Sequence, residues 1–128
     1  MNSRIIALVL LRLGLGGVFL IFGIDKFFHP AMWSAYIPQW FPQIPYFIYV
    51  LGIIEAIIGL CILIGFKTRI TAGIAAVMLL GIIGSLGYSE ITVRDAGLLM
   101  TAISIVLLGA GEFSLDAQII KTRETVPE

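Results

Sequence analysis

"IIALVLLRLGLGGVFLIFGI", residues 5–24, decides the fold. Nineteen of these twenty residues carry no charge, and the exception is Arg12 in the middle. A helix needs about 20 residues to cross a hydrocarbon core of about 30 Å. Lipid offers the backbone no hydrogen-bond partners, so a spanning segment of this kind is a helix. Composition extends the reading to the whole chain. Of 128 residues, 59% are hydrophobic and only 12% charged, and the mean hydropathy is +1.06. A soluble domain carries about 25% charged residues. Twelve per cent is too little to cover a water-exposed surface, so the natural solvent is a membrane. Basic and acidic residues balance at eight each, which gives no basic surface for nucleic acid. A single cysteine, Cys61, excludes both an intrachain disulfide and a CxxC redox pair.

Three further apolar stretches are long enough to span, at about residues 46–66, 70–88 and 92–111. The expected fold is therefore all-α: a polytopic membrane protein folded as an antiparallel bundle of four transmembrane helices, with residues 1–128 as a single domain. Spans two and three are joined by only "KTR" (67–69). Spans one and two are joined by "HPAMWSAYIPQWFPQIP" (29–45), whose four prolines and two tryptophans suit a segment lying on the membrane surface, around residues 31–43. The apolar run at the N-terminus exceeds a signal-peptide core and has no small-residue cleavage site before the prolines, so it reads as a retained span.

Charge and aromatic asymmetry orient the bundle. Four spans put the N-terminus, the "KTR" turn and the C-terminal tail on one side, with Arg4, Lys67, Arg69, Lys121 and Arg123. The other side holds Lys26 and Arg94 among its basic residues, and every Trp and Tyr. Basic loops stay in the cytoplasm and aromatic residues sit at headgroup level, so both termini are expected to be cytoplasmic.

Arg12 asks for a partner. An arginine at the bilayer centre is expensive, about 2.5–3.5 kcal/mol on insertion scales. Counting residues from the span starts places Glu55, in the antiparallel second span, at nearly the depth of Arg12. The sequence thus predicts an Arg12–Glu55 pair, with a Lys26–Asp95 contact about four turns higher. Gly16 and Gly23 share a helical stripe with Arg12 and Lys26, and Gly52 and Gly59 flank Glu55, so these four glycines are expected to let the helices pack closely. Arg12, Lys26, Glu55 and Asp95 are the candidate buried polar, ligand-binding residues. Charges at helix ends also snorkel to headgroups, which is the plain reading of Asp25 and Arg94, and a buried pair can serve register alone. His29 stands alone beside a proline and predicts no metal site. Cys61 reads as a packing residue. No catalytic constellation is evident, and "GLGG" lacks the strand–turn–helix setting of a dinucleotide site. Gly73, Gly81, Gly84 and Gly87 on the third span exceed what one bundle interior needs, which suggests a homodimer contact.

The stripe Arg12, Gly16, Gly23, Lys26, the block "EAIIGLCILIGFKTR" (55–69) and the closing "GAGEFSLD" (109–116) together resemble the DoxX family, over roughly residues 9–116. That family comprises small four-helix membrane proteins of bacteria and archaea. Its name comes from a relative of a subunit of thiosulfate:quinone oxidoreductase, and some members are thought to act beside soluble redox enzymes. The resemblance implies a plasma or inner membrane location and gives weight to Arg12, Lys26, Glu55 and Asp95. The layout also looks like that of vitamin K epoxide reductase, whose cysteine pairs this chain lacks. Two classes of function stay open. One is a redox-associated subunit binding a quinone or similar lipid-soluble ligand beside a partner oxidoreductase. The other is a non-enzymatic protein binding membrane lipids or a partner, or a small-solute transporter. Without haem, iron–sulfur or cysteine ligand sets, the chain is not expected to move electrons alone.

Overall fold

The computed structural model describes residues 2–125. Six helices follow in order: α1 Ser3–Phe28, α2 Pro30–Ser34, α3 Phe47–Ile64, α4 Thr68–Leu86, α5 Glu90–Leu108 and α6 Leu115–Thr125. There is no strand among the described residues. Helices α1, α3, α4 and α5 are each long and apolar enough to cross a membrane. They form a ring in which α1 meets α3 and α5, and α4 meets α3 and α5. The chain is thus an all-helical, multi-pass membrane bundle. Leu10, Leu13, Ile21, Ile57, Val77 and Leu107, all exposed, stand on faces that lipid would coat.

The predicted spans are present, with shifted ends. α1 runs from Ser3 to Phe28, about 39 Å at 1.5 Å per residue, against about 27 Å for α3. The N-terminal turns of α1 therefore extend beyond the end of α3. α6 carries Lys121, Arg123 and Glu124 and is too polar for the span pattern to register. The connection after α1 contains only the short α2, none of whose residues is buried.

Helices α1 and α3 pack backbone to backbone. A Cβ on Gly23 would lie 2.5 Å from Ala56 N and 2.7 Å from Gly52 O. One on Gly52 would lie 2.7 Å from Gly23 O, and one on Gly59 2.7 Å from Gly16 O. Gly16 thus faces Gly59, and Gly23 faces Gly52, which makes the two helices antiparallel and fixes their register. The four glycines do what their spacing predicted. Gly73, Gly81, Gly84 and Gly87 do not, since a Cβ at any of them would meet nothing within 4 Å. They play no part in packing within the chain.

The core fills one half of the bundle. Leu15, Phe19, Ile58, Ile62, Ala72, Ala75, Leu79, Leu99, Ala102 and Ile105 form a single buried cluster toward the end where the termini lie. At the opposite end, the same four helices and the α2 segment enclose a cavity of 590 Å³.

Glycine substitutions should separate the two classes of position. Gly23→Ala or Gly59→Ala forces an atom into the facing backbone and should destabilise the fold by about 1–3 kcal/mol. Gly84→Ala should leave the melting temperature in detergent unchanged or slightly raised. Equal losses at Gly23 and Gly84 would contradict the α1–α3 register.

Candidate functional site

The bundle carries a buried polar cluster at each end, and the two are built differently. At the termini end, α3 stops at Gly65, whose φ of +74° closes the helix. Gly65 N–H donates to Ile62 O, and Phe66 N–H donates to Cys61 O at 2.9 Å. This is the glycine-terminated helix end that reverses the chain in a left-handed residue. Gly65 must also lack a side chain for a second reason, because a Cβ there would sit 2.8 Å from Arg12 Nη2 and 2.5 Å from Ser114 Cβ.

Arg12, 5% exposed, fills that space. Its Nε donates to Ile62 O (3.0 Å) and its Nη2 to Leu63 O (2.6 Å). Its Nη1 donates to Ala110 O (3.1 Å) and Phe113 O (2.6 Å). The first two are carbonyls of α3's last turn, at the negative end of its dipole; Ile62 O also accepts from Gly65 N–H, and Leu63 O has Arg12 as its donor. The other two belong to the "GAGEFSLD" loop. Arg12 therefore binds the end of α3 to the α5–α6 connection, and it does not meet Glu55. The reason is register. With Gly16 opposite Gly59, Arg12 lies opposite Leu63, eight residues or about 12 Å from Glu55. Counting depth from span starts misplaced it because α1 begins well beyond the end of α3.

The rest of that loop completes the joint. Ser114 Oγ accepts from Ala117 N–H in the first turn of α6 (3.2 Å). Asp116 accepts from Lys67 N–H (2.7 Å), Thr68 N–H (2.9 Å) and the Thr68 hydroxyl (2.8 Å), so it caps α4 from 48 residues away. Lys67 has a φ of +44°, a left-handed conformation that costs a residue other than glycine energy. The Asp116 cap helps hold it there. Partial burial works against the Asp116 carboxylate, but the donors on Thr68 and Lys67, with Arg12 nearby, hold it below the usual carboxylate range.

At the loop end, Lys26 is 4% exposed, Glu55 6% and Asp95 3%. Lys26 Nζ lies 2.5 Å from Glu55 Oε2, 3.4 Å from Phe22 O and 4.0 Å from the centroid of the Trp33 ring. Side chains on a helix lean toward its N-terminus, which carries the Lys26 ammonium back toward Glu55. The expected Lys26–Asp95 contact is thus replaced by Lys26–Glu55. Asp95 is bound by its own neighbour: Arg94 Nε donates to Asp95 Oδ1 at 2.9 Å, and Arg94 Nη2 lies 2.8 Å from the same oxygen. The Arg94 guanidinium also covers the Phe22 ring, 4.9 Å from its centroid. Asp25 accepts from Trp33 Nε1 at 2.8 Å and lies 2.8 Å from His29 Nδ1. Sequence reading missed these roles for Asp25, Trp33 and Arg94.

All three carboxylates and both cations of this group line the 590 Å³ cavity. The other walls are apolar and aromatic, including Phe19, Phe22, Trp33, Tyr36, Phe41 and Phe47. Such a chamber, apolar with a few convergent polar groups, has the form and size of a small-molecule site. Among the described residues, no cluster of His, Cys, Asp and Glu could hold a metal ion. Cys61 lies outside the cavity, toward the other end of α3.

A protein-family model described as DoxX matches residues 7–88. The match takes in Arg12, Lys26, Glu55 and the four packing glycines, and stops before Asp95 and the "GAGEFSLD" loop. Neither a curated protein nor a solved structure matches the chain.

Double-mutant cycles measured by thermal or denaturant unfolding in detergent should report this wiring. Arg12→Leu strands the Leu63, Ala110 and Phe113 carbonyls, each costing about 1–3 kcal/mol if left buried and unpaired, and should be the most damaging single change. Glu55→Leu should cost less, since Lys26 keeps the Phe22 carbonyl and the face of Trp33 as partners. Lys26→Met with Glu55→Leu should recover about 1–3 kcal/mol relative to the sum of the singles, while Arg12→Leu with Glu55→Leu should add within about 0.5 kcal/mol. Strong coupling between Arg12 and Glu55 would refute the assignment.

Proposed function

The chain belongs to the DoxX family, and from that premise and the loop-end cavity we propose a membrane protein that binds a lipid-soluble ring compound of the quinone class beside a soluble oxidoreductase. The observation that carries this reading is the cavity itself: aromatic walls around a buried ion pair, Lys26–Glu55, and a half-exposed one, Arg94–Asp95. Flat aromatic walls favour a ring over a flexible acyl chain, because ring stacking adds about 0.5–1.5 kcal/mol beyond area burial. The buried charges supply orientation, since polar groups in a low-dielectric pocket interact strongly with a polar head. No electron-carrying ligand set was read in the chain, so any redox step belongs to the partner, and this protein's share is to bind and present the lipid-soluble carrier. In this reading both termini face the cytoplasm of a bacterial or archaeal cell. The unpacked glycines of α4 support a homodimer joined through that face, which a native mass in mild detergent checks.

Trp33 forms part of the wall, so its fluorescence tests occupancy. Titration of the purified protein with a short-chain quinone should quench emission saturably. Leu51→Trp, which fills the cavity, should weaken binding at least about tenfold, judged by displacement of the bound quinone into an extract. Linear, unsaturable quenching in the parent protein would refute the reading.

A further inference from the structure

The donors and acceptors around the cavity are unequally used. The buried donors are spent. Lys26 directs its ammonium to Glu55, to the Phe22 carbonyl and to the face of Trp33, and Trp33 Nε1 is bound to Asp25. The buried acceptors are not. Glu55 is held through Oε2 alone and Asp95 through Oδ1 alone. Glu55 Oε1 and Asp95 Oδ2 take no hydrogen bond from the described residues, although both residues are more than nine-tenths buried. Neither oxygen is sealed inside protein, because no fully enclosed side-chain polar atom among the described residues lacks a partner. Both residues line the cavity, on α3 and α5 respectively. Ser85 adds a third free acceptor, since its hydroxyl donates to Gly81 O and leaves its oxygen lone pairs open. On the donor side there remain Arg94, whose side chain is 44% exposed and lies over Phe22, and the exposed Tyr36.

A carboxylate oxygen facing an apolar space without a donor is costly once water is excluded, and a ligand hydroxyl is what relieves it. We propose that the cavity selects its ligand as a hydrogen-bond donor, a lipid-soluble dihydroxy-aromatic compound whose two hydroxyls meet Glu55 Oε1 and Asp95 Oδ2. Within the quinone-class reading above, on which this rests, the preferred form is the reduced quinol. The oxidised quinone offers only carbonyl acceptors, which would face two carboxylates and be repelled by them. Net charge points the same way, with Glu55, Asp95 and Asp25 set against Lys26 and Arg94.

Three ligands with one ring and tail decide it: the quinol, the quinone and the quinol's dimethyl ether, which keeps the shape and loses both hydroxyl protons. Each is titrated anaerobically into the purified full-length protein, with Trp33 emission as the readout. The quinol should bind at least about tenfold more tightly than either of the others, the worth of one charge-assisted hydrogen bond. Asp95→Asn keeps an oxygen for Arg94 and replaces the free acceptor with an amide donor. It should reduce the preference for quinol over quinone severalfold, and far-ultraviolet circular dichroism establishes that the variant is folded. Equal affinity for all three ligands, or tighter binding of the quinone, would overturn the proposal and leave the quinone-class reading standing. Binding of none of them would remove both.

Discussion

The backbone contact between α1 and α3 sets the positions of Arg12, Lys26 and Glu55, three of the four buried charged residues among those described. Gly16 against Gly59 and Gly23 against Gly52 allow one register between these helices, because an added Cβ at Gly23 or Gly52 would strike backbone. That register places Arg12 over the last turn of α3 and Lys26 within reach of Glu55. Lipid gives little hydrophobic force for bringing helices together, so close packing of small residues has to supply much of it. The contact that holds the bundle together is therefore also the one that aligns its ionisable groups.

The two ends answer the problem of a buried cation in different ways. Arg12 has backbone carbonyls as partners, four of them, from a helix end and a loop. Its five donors in a planar fork suit that task, which a lysine's compact ammonium could not perform as well. The carbonyls are better off for the contact, since Leu63 O in α3's last turn would otherwise lack a partner. Asp116 and Ser114 serve the starts of α4 and α6 in the same way. The result is a rigid joint that ties α1, α3, α4 and the α5–α6 loop together, far from the cavity.

The spans were legible because an apolar run of that length has one physical use. Their ends were not, because the first turns of α1 and the whole of α6 lie where apolar character no longer decides conformation. The burial of Arg12, Lys26, Glu55 and Asp95 was legible from charge inside apolar runs. Their pairing was misread, although a signal for it was present: Gly16 and Gly23 are seven residues apart, as are Gly52 and Gly59, and matching these two ladders antiparallel puts Arg12 opposite Leu63. Depth counted from uncertain span ends was the poorer ruler. The Asp116 cap on α4 had no local signal, since its donors lie 48 residues away, and the role of Trp33 depended on how α2 sits over the cavity.

The loop end shows by contrast what the protein does not do with its charges. At the termini end a buried cation finds four acceptors, so this fold can satisfy an ion fully with its own backbone. At the other end two carboxylates are left half-engaged, beside a space that the core could have filled with apolar side chains. Replacing a buried ion pair by apolar residues is often neutral or stabilising, so stability alone gives no reason to keep Lys26 and Glu55 charged there. Nor does helix register, which the glycines already set. What remains is the chamber itself. Lys26 and Arg94 each engage one oxygen of a carboxylate on its wall, and the second oxygen of each carboxylate takes no hydrogen bond from the described residues.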